Sequence, residues 1–258
     1  MGIDFQDKRN RYTYSARGAD RSWMQKIEQL VPIGNFKNAV DIGCGGGIYT
    51  KALVDMGVAA VTGIDSSEVI LDGARENCQE YKNISFRLGD ASHTGLESSS
   101  IDLILERALI HHLNDLKQCF LEAYRLLEDE GAILIQDRTP EDCLFSGSEQ
   151  HIRGYFFECF PRLAEVEVRR RFNSEEVLTA LKETGFKNIK EVTFWETRKC
   201  YQTKVELVKD LRLRTGRSIL HELDNDELRS LVTFIESKIV TDGPIIEKDR
   251  WTIWIAEK

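Results

Sequence analysis

Residues 37–47 of this 258-residue chain read KNAVDIGCGGG, a short apolar run followed at once by a glycine-rich turn. The apolar run predicts a buried strand, and residues 49–56 then have helical character, with Gly57 placed to end the helix. Glycines between a strand and a helix let the chain turn sharply and bring its N–H groups close to a ligand. We therefore expect a strand, a ligand-binding loop and a helix in succession.

The same alternation continues along the chain. Apolar runs predict further strands at residues 59–64, 84–88, 101–105, 131–136, 188–195 and 251–256. Amphipathic stretches lie between the earlier runs, and this pattern is typical of a parallel sheet covered by helices on both faces. The run at 251–256 alternates like an edge or antiparallel strand. We expect an α/β fold: a doubly wound, mostly parallel seven-stranded sheet with an antiparallel last strand and helical cap insertions.

The composition argues against several classes of partner. Hydrophobic residues make up 41% of the chain and the formal net charge is −8, so we expect no general affinity for nucleic acid or anionic membranes. No apolar run approaches the roughly 20 residues that span a bilayer, and the N-terminus lacks the apolar stretch of a signal peptide. We expect a cytoplasmic protein. Its six scattered cysteines are expected to be reduced thiols, and no metal site is expected.

Acidic residues follow successive strands of the predicted sheet. Asp65 ends the second strand, about 20 residues after the glycines, where a carboxylate can accept both hydroxyls of a ribose. Asp90 follows the third strand and can accept from the exocyclic amine of adenine, and Glu106 and Arg107 follow the fourth. Each acid alone is also compatible with a helix cap or an ordinary turn. Their recurrence at one sheet edge favours a nucleoside site, because ligands bind beyond the carboxyl ends of such strands.

The spacing of the glycines separates two classes of cofactor. A dinucleotide site with the pattern G-x-G-x-x-G requires a glycine where this chain has Ile48. A Walker-type phosphate loop is excluded because no Lys-Ser/Thr pair follows. An NAD-dependent oxidoreductase is therefore a poorer fit to this loop.

Four segments together resemble a known family. They are VDIGCGGG at 40–47, ID at 64–65, GD at 89–90 and IDLILERALIHHL at 101–113. In these motifs the chain resembles Rossmann-like (class I) S-adenosylmethionine-dependent methyltransferases, in particular the small-molecule group resembling ubiquinone and menaquinone biosynthesis methyltransferases. The resemblance implies S-adenosyl-L-methionine as cofactor, S-adenosyl-L-homocysteine as product and a small-molecule acceptor.

The resemblance also relates individual residues to parts of the cofactor. The implied positions are Gly43, Cys44 and Gly45 along the methionine portion, Asp41 toward its amino group, Asp65 and Ser66 at the ribose, Asp90 and Ala91 at the adenine, and Glu106 and Arg107 beside the sulfonium. Family members often carry Asn or Ser-Asn where this chain has Glu106 and Arg107. The chain departs from the family pattern at these two positions.

Methyl transfer from a sulfonium asks for little chemistry from the protein, because the electrophile is already activated. A general base is needed only if the acceptor must lose a proton, and His111 and His112 are the candidates. The two histidines are also compatible with a structural role at the corner before the next helix. Arg107 is a third catalytic candidate, since it can fork onto a substrate carboxylate. It can equally pair with Glu106 or Asp137 and stabilise the structure alone.

The termini and two insertions are expected to control access to the site. Residues 1–35 are expected to form lid helices, with Tyr14 or Arg17 near the methionine carboxylate. The alternative is an aromatic N-terminal helix that is simply packed on the sheet. Residues 36–258 are expected to form the methyltransferase domain. Its insertions at about 139–172 and 199–249 are expected to cap the substrate, and their apolar residues also permit a homodimer face or a plain core.

Two other kinds of protein share parts of this pattern. Amino-directed nucleic-acid methyltransferases resemble one another in an Asn/Asp-Pro-Pro-aromatic run after the fourth strand, where this chain reads ERAL at 106–109. A non-catalytic S-adenosylmethionine-binding sensor or assembly protein is compatible with every motif. Turnover separates such a sensor from an enzyme.

Overall fold

A computed structural model of the protein describes residues 18–241 and 243–258. The chain divides into two compact units. The sheet unit comprises residues 18–137, 172–193 and 252–258 of the described chain, and the insertion unit comprises residues 138–171 and 194–251. The role of the insertions as a substrate cap stays a prediction.

A seven-stranded sheet lies at the centre of the fold. The strands are β1 Asn38–Ile42, β2 Ala60–Asp65, β3 Ile84–Leu88, β4 Ile101–Arg107, β5 Leu127–Asp137, β6 Lys187–Tyr201 and β7 Ile245–Glu257. Their order is β3-β2-β1-β4-β5-β7-β6, with β1 to β5 parallel and β7 antiparallel to β5. The predicted fold class is confirmed. The strand predicted at 251–256 lies inside the sheet rather than at its edge, because β6 follows it in the order.

One helix precedes β1, and further helices occupy segments between the strands. They are α1 Arg21–Leu30, α2 Ile48–Asp55, α3 Glu68–Asn77, α4 Leu116–Leu126, α5 Pro140–Cys143, α6 Gly154–Cys159, α7 Arg162–Arg169, α8 Ser174–Glu183, α9 Lys204–Arg212 and α10 Asn225–Lys238. Ser67 caps α3 by accepting from the backbone N–H of Ile70 at 3.3 Å. Asn173 and Glu176 form a reciprocal capping box at the start of α8, and both caps satisfy backbone N–H groups at a helix N-terminus.

The core of the sheet unit forms because its central strands are covered on both faces. Val40 of β1 is the register partner of Ile104 of β4, and both side chains are fully buried. Phe120 of α4 and Trp254 of β7 belong to the same apolar cluster. Burying side chains of this size contributes about 1.5–3 kcal/mol each relative to leaving them exposed.

The parallel pairing determines where a ligand can bind. Since β1 to β5 run in the same direction, their carboxyl ends meet at one edge of the sheet. The order reverses at β1, which has β2 on one side and β4 on the other. The segments that end or follow these strands at this edge are residues 43–47, Asp65, residues 89–91, Arg107 and Asp137. This is the switch point where ligands of open α/β sheets bind.

The insertion unit has a core of its own. Apolar side chains of α6, α9 and α10 form one buried cluster that includes Phe156, Leu207 and Leu231. Beside it the fully buried guanidinium of Arg217 donates to Glu247 at 2.7 Å and to the hydroxyl oxygen of Tyr201 at 3.1 Å. This buried charge is therefore paired and hydrogen-bonded.

None of the helices in the described ranges is both long and apolar enough to cross a membrane. The cytoplasmic location stays a prediction.

Candidate active site

The glycine loop after β1 is folded back on the end of β2. Gly43, Gly45 and Gly47 all have left-handed backbone conformations, with φ of 74°, 53° and 75°. The N–H groups of Gly43 and Cys44 both donate to the carbonyl of Ile64, at 2.8 and 2.9 Å. A Cβ at position 43 would lie 2.8 Å from the Cδ1 atom of Leu109. Glycine is required at position 43 by both its dihedral angle and its neighbour.

Asp65 connects this loop to the start of α3. One carboxylate oxygen accepts from the N–H of Gly45 at 3.0 Å and the other from the N–H of Ser67 at 3.0 Å. Burial raises the pKa of Asp65, although these backbone hydrogen bonds oppose the change. A carboxylate oxygen has two lone pairs, so Asp65 can still accept from a ligand. Ser66 lies between Asp65 and the capping residue of α3.

Asp41 lies in the interior beneath the loop. Its carboxylate accepts from the hydroxyl of Thr50 on α2 at 2.6 Å. Burial raises the pKa of Asp41 to about 6, while the Thr50 hydrogen bond and the charge of Arg107 lower it. Asp41 is only 2% exposed, so its carboxylate is not accessible for direct contact with a ligand. Cys44 is also buried, and burial raises the pKa of its thiol, which keeps it neutral.

Asp90 and Ala91 follow β3 and differ in exposure. Asp90 is exposed, and its Oδ1 atom accepts from the N–H of Ser92 at 2.8 Å and from the Ser92 hydroxyl. These hydrogen bonds lower the pKa of Asp90, so it is a carboxylate at neutral pH. Ala91 is 7% exposed and belongs to the apolar core cluster. The pair therefore presents an acceptor beside an apolar surface, which suits an adenine ring.

Glu106 and Arg107 lie on opposite faces of the sheet. Glu106 is fully buried, its Oε1 accepts from the Cys119 thiol of α4 at 3.3 Å, and its Oε2 has no hydrogen-bond partner among the described residues. Burial raises the pKa of Glu106 to about 7. Arg107 instead stacks over the ring of Tyr49 on α2, with Cζ 3.9 Å from the ring centroid. The two residues, which the resemblance implies side by side at the sulfonium, point in different directions because β4 continues through them.

Tyr49 belongs to an aromatic wall that sequence reasoning did not connect with Arg107. Its ring meets that of Trp23 edge to face at 4.8 Å. Trp23 lies on α1, is fully buried, and donates its indole N–H to the side-chain oxygen of Gln136 at 2.6 Å. The position of Tyr49, the second residue of the helix after the glycine loop, was the available signal. Tyr14 and Arg17 lie outside the described residues, so the lid stays a prediction.

His111 and Asp137 meet at the carboxyl ends of β4 and β5. The ring atom Nδ1 of His111 lies 2.8 and 3.0 Å from the two carboxylate oxygens of Asp137. The backbone N–H of His111 also donates to Asp137, at 3.3 Å. His112 is exposed, and its ring centroid lies 4.0 Å from that of His111. Sequence reasoning named both histidines but related Asp137 only to Arg107.

These groups together define what the site can hold. Asp65 and Asp90 offer carboxylate acceptors for hydroxyl and amino donors, the glycine loop offers a backbone without side chains, and Arg107 offers a positive charge. A nucleoside that carries an amino-acid tail fits this donor set. No group of three or more His, Cys, Asp or Glu side chains that could hold a metal ion occurs within residues 18–241 and 243–258.

Comparison with known proteins bears on the class of enzyme. Residues 40–135 match the family model described as "Methyltransferase domain". A demethylmenaquinone methyltransferase of Tropheryma whipplei is 25% identical over 186 residues, which cover 66% of this chain and 74% of that protein. The chain is a class I S-adenosylmethionine-dependent methyltransferase.

Further relatives of the methyltransferase are more distant or shorter matches. A ubiquinone biosynthesis O-methyltransferase of Coxiella burnetii is 29% identical over 111 residues, covering 43% of this chain and about half, 47%, of that protein. A putative methyltransferase from an antibiotic biosynthesis pathway of Anabaena variabilis superposes with a TM-score of 0.72 at 19% identity, covering 92% of this chain and 98% of that one. Phosphoethanolamine N-methyltransferase 2 of Haemonchus contortus, solved with phosphomonomethylethanolamine and S-adenosylhomocysteine, gives a TM-score of 0.60 at 20% identity, covering 99% of this chain and 60% of that one. At these identities the solved structures establish the fold alone.

Proposed function

We propose that this methyltransferase transfers the methyl group of S-adenosylmethionine to a small-molecule acceptor by direct displacement. When bound, the cofactor supplies a methyl group on a sulfonium, which is already an activated electrophile. The protein then has to hold the two reactants in line and exclude water, and positioning of this kind lowers a barrier substantially. The relatives named above act on small molecules according to their names, which supports an acceptor of this size.

The observation that carries the proposal is the connection of the glycine loop to Asp65. The Gly45 N–H to Asp65 hydrogen bond of 3.0 Å brings a side-chain-free backbone and a carboxylate to one point. In the proposed complex Gly43, Cys44 and Gly45 line the methionine portion, and Asp65 with Ser66 holds the ribose. Because Asp41 is buried, it acts through the loop and Thr50 rather than on the amino group directly.

The remaining parts of the cofactor are proposed to lie on either side of this point. Asp90 accepts from the adenine amine, and Ala91 covers the ring. Arg107, with its guanidinium stacked on Tyr49, supplies positive charge for the methionine carboxylate or for a carboxylate of the acceptor. Glu106 contributes no direct contact in this proposal, because its side chain lies in the α4 interface.

We propose that neither nucleic acid nor a membrane is a partner of the protein. The net charge of −8 opposes binding to a phosphate backbone. The insertion unit remains the proposed cap over the acceptor, and the cytoplasm remains the proposed location. A homodimer remains a prediction.

Calorimetry on the full chain tests the proposal directly. We expect S-adenosylmethionine and S-adenosylhomocysteine to bind and NAD not to bind. Formation of S-adenosylhomocysteine in the presence of a pool of small metabolites then establishes turnover. Binding without any product formation would instead favour the sensor or assembly protein.

A further inference from the structure

Three aromatic rings of the insertion unit contact one another and have no role in the proposed cofactor site. They belong to Phe145, His151 and Trp195, and we call them the aromatic cluster. We infer that the aromatic cluster binds a small planar aromatic compound that carries a hydroxyl or ring N–H group, which donates to Nε2 of His151. The inference goes beyond the proposed function, because it concerns a second ligand and does not require the cofactor.

The rings of the aromatic cluster pack edge to face. The centroid of Trp195 lies 5.6 Å from that of Phe145 and 5.2 Å from that of His151, with an interplanar angle of 77° in both pairs. Phe145 is 42% exposed and Trp195 is 40% exposed, whereas His151 is 2% exposed. Covering such rings with a ligand removes apolar surface from water, which is favourable. The two rings therefore offer a partly exposed apolar surface next to a buried polar group.

His151 has a buried acceptor atom that the described protein leaves without a hydrogen bond. Its Nδ1 lies 3.2 Å from the carbonyl oxygen of Ser146. A carbonyl only accepts, so Nδ1 carries the hydrogen and Nε2 carries the lone pair. Nε2 is buried and has no hydrogen-bond partner among the described residues. Burial lowers the pKa of His151, against the effect of the Ser146 hydrogen bond, so the ring is neutral at neutral pH. A donor from a ligand would recover the free energy that an unpaired buried acceptor costs.

The groups around the aromatic cluster separate two classes of ligand. Aromatic rings also bind quaternary ammonium groups, but such a group has no hydrogen to donate and would leave Nε2 of His151 unpaired. The guanidinium of Arg250 already lies over the ring of Phe145, with Cζ 4.7 Å from the centroid. Asp142 holds it there, with Oδ1 3.0 Å from Nη1 of Arg250. A neutral aromatic compound with a hydrogen donor fits these groups, and a cation does not.

The loop that carries Phe145 and His151 is held by hydrogen bonds within the insertion unit. The N–H of His151 donates to Oγ of Ser148 at 3.0 Å, and the N–H of Ser148 donates to the carbonyl of His151 at 3.2 Å. The N–H of Gly147 donates to the carboxylate of Glu158 at 2.6 Å. A loop fixed in this way loses little conformational entropy when a ligand binds.

The ligand reaches Nε2 by displacing one ring of the aromatic cluster. Arg250 and the loop hold Phe145, so Trp195 of β6 is the ring that moves. Side chains at the surface change rotamer within picoseconds to nanoseconds. The ring of the ligand then takes over the contact that Trp195 makes with His151, and its hydroxyl or N–H group donates to Nε2.

Nuclear magnetic resonance tests the hydrogen bond directly. In the full chain with ¹⁵N-labelled histidine, the signals that disappear in His151→Phe are those of His151. We expect the Nε2 signal to shift on addition of phenol or indole, and far less on addition of anisole or 1-methylindole. The methylated compounds have the same rings but no donor. An equal response to both members of each pair would overturn the inference. So would an Nε2 that already has the shift of a hydrogen-bonded nitrogen and responds to no probe, since a buried water then satisfies it.

Titrations followed through the signals of the probes give their affinities. We expect phenol to bind the wild type roughly 2- to 10-fold more tightly than anisole, as for one hydrogen bond. His151→Phe keeps a ring and removes the acceptor, so it should abolish this preference. Trp195→Leu should weaken the binding of both compounds, whereas Leu213→Ala, at another exposed apolar position of the insertion unit, should change neither. Thermal unfolding of each variant separates loss of the site from loss of the fold. A preference for phenol that persists in His151→Phe would contradict the assignment.

Sedimentation and calorimetry separate this inference from the alternatives. If a second copy of the chain covers the aromatic cluster, Trp195→Leu should dissociate a dimer and no probe should shift the His151 signal, and the inference would be overturned. S-adenosylhomocysteine should bind His151→Phe as it binds the wild type. If it binds and no probe contacts the aromatic cluster, the inference fails while the cofactor site stands. If the probes bind and S-adenosylhomocysteine does not, the proposed function fails while the aromatic cluster remains a binding site.

Discussion

The backbone N–H of Gly45 donates to the carboxylate of Asp65 at 3.0 Å, so the loop after β1 and the end of β2 form a single structure. The other oxygen of that carboxylate receives the N–H of Ser67 at the start of α3. Asp65 is therefore a connection within the protein as well as an acceptor for a ligand. Replacing it removes both functions, and the two have to be measured separately.

Asp65→Ala should weaken the binding of S-adenosylmethionine by about 1–3 kcal/mol, as expected for the loss of a charged hydrogen-bond acceptor. This corresponds to an increase in Kd of roughly 5- to 150-fold, measured by calorimetry. Asp72→Ala is the matched control, because Asp72 lies on α3 with an exposed side chain. An affinity unchanged by Asp65→Ala would remove Asp65 from the ribose.

Gly43→Ala should destabilise the protein by about 1–3 kcal/mol, measured by denaturant unfolding. Alanine at position 43 would have to keep φ near 74°, and its methyl group would lie 2.8 Å from the Cδ1 atom of Leu109. Combining it with Leu109→Ala should recover the steric part of the loss but not the part due to the dihedral angle. Gly18→Ala is the control, since a Cβ there meets nothing within 4 Å. Equal stability of the two alanine variants would contradict the packing described for Gly43.

Glu106 should make the folded protein less stable as the pH rises through neutrality. Burial raises its folded pKa from 4.5 to about 7, so between these values the folded state binds more protons than the unfolded one. The free energy of unfolding then falls with pH over this range. Glu106→Gln removes this dependence and should stabilise the protein at pH 8, by at most about 3 kcal/mol.

The comparison of wild type and Glu106→Gln isolates this residue from other titrating groups, because only the difference between their pH profiles is used. At pH 4 the two proteins should have nearly equal free energies of unfolding. A difference that does not grow between pH 4 and pH 8 would mean that Glu106 is ionised in the folded protein.

Arg217→Met should destabilise the insertion unit by about 3–5 kcal/mol, because it leaves two buried carboxylates without their main partner. Although burial opposes ionisation, the charges of Arg217 and its neighbours keep the pKa of Asp210 below its ordinary value. The carboxylates of Asp210 and Glu247 are therefore charged in the wild type, and in the variant the nearby Arg198 would remain as a buried partner of both. Arg229→Gln is the control, as its pair with Asp226 is exposed on both sides and should contribute less than about 1 kcal/mol. Comparable losses in the two variants would contradict the described network.

Sequence reasoning predicts well where the determinants are local. The glycine loop and the strand that precedes it each depend on neighbours a few residues away. Asp65 is predictable for the same reason, because it directly follows the apolar run that forms β2. Even here the partner was not predictable: the hydrogen bond to Gly45 spans 20 residues.

The side chains after β4 show what sequence reasoning leaves out. It ends this strand at residue 105, but pairing of Arg107 with Gln136 of β5 carries it to Arg107. Because successive residues of a strand alternate between faces, this extension sends Glu106 toward Cys119 and Arg107 toward Tyr49. The His111–Asp137 pair likewise depends on how β4 and β5 are aligned. The two residues are 26 positions apart in the chain, and no local sequence pattern predicts that alignment.

The most direct measurement for the cofactor site is a titration of the ¹⁵N-labelled protein with S-adenosylhomocysteine, followed through individual backbone amides. The signals of Gly45, Ser67 and Ala91 should shift together and saturate at one Kd, whereas NAD should leave them unchanged. Saturable binding of S-adenosylhomocysteine that leaves all three amides unmoved would contradict the assignment of the glycine loop, Asp65 and residues 90–91 to one cofactor.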